Sequence, residues 1–285
     1  MIESFHLNEG RLSTGMSTDD ICALARGPGT LWVNLQAVGE AELKALLARL
    51  LGPSTPVFAC HGERGRLPRA HRLEELTGAV FLSPKVAVPT GSQLFTRELV
   101  CYLRPRLLIT VHDEELAAIR LLRDRPSRDE ATPLEGGSAA LLCHMIATLC
   151  ERFASAGRSI EERADGYEAL LSRGARRRLG KALDLRASAQ ALRSIVLDSR
   201  SALTALVDGG RGRWGTKTLV DSHELEARFS ATLASLDRSQ RILENGHSLY
   251  VAQLFASQRR TIVLLNALVA CTLLITLLAL LEARL

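Results

Sequence analysis

A few stretches of this chain have residue types and spacings that could do chemistry. Cys60-His61-Gly62-Glu63 offers a thiol, an imidazole and a carboxylate to one metal ion. A zinc site of that kind needs a second His/Cys cluster at finger spacing, and none follows, so a surface loop is expected. Gly210-x4-Gly215-Thr216-Lys217-Thr218 has the outline of a phosphate-binding loop. Its lysine is displaced by one, and helical patterns flank it where a strand–loop–helix junction is needed to aim the amides. His112-Asp113-Glu114-Glu115 gathers carboxylates, and reads as a strand end and helix cap rather than a cation site. The remaining group is Asn266, Thr272 and Thr276, set in an otherwise apolar run.

That run, 261–281, holds 21 residues without a charge, against about 20 needed to cross a bilayer core of about 30 Å. It is apolar all round, whereas helices of soluble domains are amphipathic, so a transmembrane helix is predicted. A threonine hydroxyl can bond back to its own helix backbone. An amide at membrane depth serves either a partner helix or a polar path, and Asn266 fits both. Thr272 and Thr276 share a helix face, with Asn266 about 80–120° round from them. These residues are ion-path candidates by membrane depth alone. Arg259 and Arg260 precede the run as membrane-interface anchors. By the positive-inside rule they keep the preceding chain in the cytoplasm.

No Gly-x-Ser-x-Gly elbow or pair of catalytic carboxylates emerges, so no catalytic residue is assigned and an enzyme is not expected. The six cysteines form no CxxC pair, and Cys143 and Cys150, seven apart, read as small core residues. No cofactor is implied by these residues, and the metal ligands stay unknown. Residues 1–135 carry 16 Lys/Arg and 17 Asp/Glu, whereas residues 136–285 carry 20 and 14. A basic membrane-proximal half suits anionic lipid head groups, and no nucleic-acid motif is present.

The elements that position these residues form an α+β chain. Residues 1–135 read as an α/β domain with a mostly antiparallel sheet. Ser17 caps a short helix, Leu31–Leu35 is a strand, and Glu40–Leu51 is an amphipathic helix ended by Gly52-Pro53. Arg69–Leu73, Ala79–Ser83, Phe95–Leu103 and Arg106–Val111 read as strands, and His112 opens a further helix. Residues 136–215 form a long helical hairpin, with Leu183, Leu192, Val196 and Leu203 among the inward positions of its second arm. A stalk helix, 216–260, continues into the transmembrane helix 261–281, leaving a short outer tail, 282–285.

This order resembles the CorA-like divalent-cation transporters. Leu31-Trp32-Val33-Asn34-Leu35 looks like an early strand of that family. Pro68–Leu73 followed by Ala79–Leu82, then Leu94 through His112, are similar to the zinc transporter ZntB branch, as is Arg259-Arg260-Thr261. The resemblance implies a homopentamer in the cell inner membrane with a cytoplasmic funnel. It also implies divalent cations such as Mg2+, Zn2+ or Co2+ as the cargo. The family's Gly-Met-Asn position falls on Glu282-Ala283-Arg284, and no second transmembrane helix lies within the 285 residues. The expectation is therefore a transport protein divergent or truncated at its outer end. The alternatives are a non-conducting, membrane-anchored scaffold or regulatory relative, and an unrelated single-pass signalling protein.

Overall fold

The computed structural model describes residues 1–53, 55, 80–82, 85–90, 93–124, 133–171, 179–209 and 216–282. The Cys60 cluster, the expected strand Arg69–Leu73, and residues 210–215 of the glycine-rich turn lie outside them. Two compact units are present. One comprises Met1–Ser159 with Ser188–Leu236, and the other Ile160–Ala187 with Asp237–Leu285.

The first unit is built on a sheet. Its strands are β1 (Ile2–Asn8), β2 (Arg11–Thr14), β3 (Thr30–Gln36), β4 (Val80–Leu82), β7 (Val100–Arg104) and β8 (Leu107–His112), in the order β2-β1-β3-β8-β7-β4. Every neighbouring pair is antiparallel except the central β3–β8 pair, which runs parallel with Leu31 opposite Leu107 and Gln36 opposite His112. A separate hairpin joins β5 (Lys85–Thr90) to β6 (Gln93–Glu98).

Strand alternation sorts the residues onto two faces. Leu31, Val33 and Leu35 of β3, with Leu107, Ile109 and Val111 of β8, enter one apolar cluster. Helices α1 (Thr18–Leu24) and α2 (Glu40–Leu51) close that cluster with Ile21, Leu43, Leu46, Leu47 and Leu50. Ser17 caps α1 by accepting from the Asp20 amide. The α2 carbonyls of Leu50 and Leu51 accept from Arg104 at 3.1 and 2.7 Å, so the end of β7 caps a helix. The opposite face carries Phe5, Trp32, Asn34, Thr110 and His112, with Phe5 stacked on Trp32 at 4.8 Å between ring centroids.

Several local expectations are revised. Strands β1 and β2 lie outside the expected elements: Ile2 is the one apolar residue on the Ile2, Ser4 and His6 face of β1, and Glu3 breaks the face of Phe5 and Leu7. The expected strand Phe95–Leu103 divides around Leu99: β6 pairs with β5, while β7 pairs with β8 and β4. The helix after β8, α3 (Ala117–Asp124), starts later than His112, which remains the last residue of β8.

Three long helices follow: α4 (Gly137–Leu171), α5 (Leu179–Gly209) and α6 (Thr216–Glu282). In the first unit α4 and α6 pack through Phe153 and Phe229, with ring centroids 6.4 Å apart. Cys143 and Cys150 are buried there, as core residues. In the second unit Ile160, Ala164, Leu185 and Leu243 are buried, and Arg186 pairs with Glu244 at 2.8 Å. Leu183, expected inward, is 46% exposed, while Ala182 and Leu185 take the buried positions beside it.

Candidate functional site

The apolar end of α6 is helical without interruption, and the described side chains from 261 to 276 are all exposed. Ile262 and Val263 are each 59% exposed, Leu264 70% and Leu265 64%. These neighbours point in different directions round the helix, so no single face seeks a protein core. A helix exposed and apolar all round is matched to lipid, not water. Pro133–Tyr167 is also long and apolar enough to cross a membrane, but more than half of its apolar window is buried. Leu141, Leu142, Met145, Ile146, Leu149 and Phe153 make it a core helix.

Within the apolar end, Thr272 donates to the Val269 carbonyl and Thr276 to the Leu273 carbonyl, both at 2.8 Å. The hydroxyl protons are thus used inside the helix, while the oxygens still carry lone pairs. The Asn266 side chain is exposed and makes no hydrogen bond to a described residue. Asn266 does not fall on the threonine face. Arg259 and Arg260 are exposed immediately before the apolar run.

A second polar arrangement is buried in the sheet. Trp32 Nε1 donates to Thr110 Oγ1 at 3.0 Å, and Thr110 Oγ1 donates to Asn34 Oδ1 at 2.8 Å. Asn34 Nδ2 donates to Glu3 Oε2 at 2.9 Å. His112 Nε2 lies 2.9 Å from Asn34 Oδ1, and its Nδ1 lies 2.7 Å from the Glu114 carbonyl. Arg123 reaches Glu3 at 3.4 Å and Glu115 at 3.0 Å. Burial lowers the His112 pKa below the ordinary imidazole value, opposed by the Glu114 carbonyl and by Glu3, Asp113 and Glu115. Two carboxylates of the 112–115 stretch meet arginines: Glu114 pairs with Arg97 at 2.7 Å, and Glu115 with Arg120 and Arg123. The sequence signal for this network was a polar residue at an interior position of each apolar strand, Asn34 in β3 and Thr110 in β8.

Among the described residues, no group of three or more His, Cys, Asp or Glu is arranged to hold a metal ion. Helix α5 ends at Gly209 and α6 begins at Thr216, so a helix precedes the glycine-rich stretch where a phosphate-binding loop needs a strand.

A family model described as CorA-like Mg2+ transporter protein matches residues 28–279. No curated protein sequence matches the chain. The complete CorA magnesium transporter of Methanocaldococcus jannaschii aligns with a TM-score of 0.75 at 16% identity, covering 92% of this chain and 80% of that one. The full-length CmaX protein aligns at 0.69 and 17% identity, with the same coverages of 92% and 80%. The ZntB cytoplasmic domain from Vibrio parahaemolyticus RIMD 2210633 aligns at 0.64 and 10% identity, covering 89% of this chain and 98% of that one. Identities this low speak to fold alone; the family match carries the assignment. Because that match runs from the turn before β3 into the apolar end of α6, the chain belongs to the CorA-like Mg2+ transporter family.

Proposed function

We propose that this chain is one subunit of a homopentameric transporter of divalent cations, with Mg2+, Zn2+ and Co2+ as the cargo class. The observation that carries the reading is the apolar end of α6, exposed all round and holding an amide with no described partner. It resides in the cell inner membrane with residues 1–135 cytoplasmic. Residues 136–215 act as the hairpin, 216–260 as the stalk and 261–281 as the membrane segment. Divalent cations of this class are hard and oxygen-seeking, and Mg2+ sheds its waters reluctantly. A ring of Asn266 amide oxygens suits contact with a hydrated ion. Thr272 and Thr276, deeper along the helix, add hydroxyl oxygens whose protons are already engaged. Arg259 and Arg260 hold the helix at the interface, and no catalytic step is involved.

The test is flux into liposomes that enclose a metal indicator. Wild-type protein is expected to admit at least one of the three ions. Asn266→Leu is expected to cut the rate by about tenfold while leaving insertion intact. Intact oligomers with no flux of any of the three would overturn transport. That result would select the reading as a non-conducting scaffold or regulatory relative, which Glu282-Ala283-Arg284 at the family's Gly-Met-Asn position favours.

A further inference from the structure

The proton directions in the buried network of the sheet are forced. Trp32 Nε1 can only donate, so Thr110 accepts from it and gives its own hydrogen to Asn34 Oδ1. The Asn34 amide nitrogen then faces Glu3, and a rotated amide would set its oxygen against that carboxylate. His112 Nε2 meets the same Asn34 oxygen, and Nδ1 meets the Glu114 carbonyl, which can only accept. Both contacts are hydrogen bonds only if both ring nitrogens carry hydrogen. A neutral ring has one N–H, so one contact then opposes two lone pairs.

We propose that His112 is a proton-operated latch: the doubly protonated ring ties the segment 113–116 to the end of β8, and loss of one proton releases the Glu114 carbonyl. The release occurs on that side for a structural reason. Asn34 is locked by Thr110 and Glu3, and the His112 backbone is held in the sheet, its carbonyl accepting from Ala37 at 2.9 Å. Glu114 lies in a bend between β8 and α3.

The charged groups around the ring come from every element against it. Glu3 projects from β1, and Asp113, Glu114 and Glu115 belong to the segment itself. Arg120 and Arg123 come from α3, and Arg97 from β6. What the latch positions is therefore the Glu114–Arg97 and Glu115–Arg123 ion pairs. The sign follows from what differs between the held and released arrangements. The ring stays buried in both, so burial does not choose between them. The Glu114 bond exists only in the held one and favours the protonated ring. Acidification therefore closes the latch.

Hydrogen–deuterium exchange of the full-length protein in detergent tests this, without reference to transport. After correction for the intrinsic pH dependence of exchange, residues 113–116 are expected to exchange about three- to tenfold more slowly at about pH 5.5 than at about pH 7.5. Residues 107–111 of β8 should exchange equally at both. His112→Gln should flatten the difference. Equal protection of 113–116 at the two pH values in wild type, or weaker protection in acid, would overturn the latch. Should His112→Gln lose protection throughout β8, the wild-type profile alone decides.

Discussion

Asn34 is the hub of the sheet's polar network, and truncating it has a calculable effect. Asn34→Leu removes the acceptor for Thr110 and His112 and the donor to Glu3. Buried polar groups left without partners cost about 1–3 kcal/mol each, so a clear fall in thermal midpoint is expected. His112 has a separate effect on global stability, with its own sign. Its folded pKa is lowered by burial, so the unfolded chain binds more protons. The site's contribution is then complete above the ordinary imidazole value and is lost as pH falls below about 6.5. The wild-type midpoint should drop between about pH 7 and pH 5 more steeply than that of His112→Gln, as read by calorimetry. At Cys150, burial pushes the thiol up to about 11. Alkylation at about pH 8 should therefore modify the half-buried Cys22 well before Cys150, as peptide mass mapping would show.

Among the elements, two turns and caps control the sheet. Gly29 sits at φ +90°, and a Cβ there would lie 2.5 Å from the Leu7 carbonyl in β1. Gly29→Ala thus carries both backbone strain and a backbone clash, and should cost about 2 kcal/mol or more by denaturant unfolding. Arg104→Met keeps the apolar stem but strands the Leu50 and Leu51 carbonyls, and should loosen the end of α2 by about 1–2 kcal/mol. The sequence made β3, α1 and α2 legible, because Ser17, the glycine turns and the 3–4 leucine spacing are local signals. It left β1 and β2 unread, because β1 earns its place only by pairing with β3. It merged β6 with β7, since the change of partner at Leu99 has no local mark. The Trp32–Thr110–Asn34 contacts were hidden for the same reason: they join strands far apart in the chain.

For the whole molecule, the apolar end of α6 was the plainest feature of the sequence, because 21 uncharged residues need no partner to interpret. The roles of Asn266, Thr272 and Thr276 were less readable, since one helix alone does not say which face meets a neighbour. Leu268→Arg places a charge among the exposed apolar residues and should reduce membrane insertion by about 2.5–3.5 kcal/mol, measured by resistance to alkaline extraction. One consequence lies in the parallel β3–β8 pair at the centre of the sheet. Leu31 finds Leu107 across 76 positions, so β3 leaves the ribosome long before its neighbour exists. The sheet cannot close until β8 emerges, and the nascent Thr30–Gln36 strand meanwhile offers an unpaired apolar edge. Biogenesis therefore has a window of exposure to chaperones and aggregation, which ends only when the eighth strand is made.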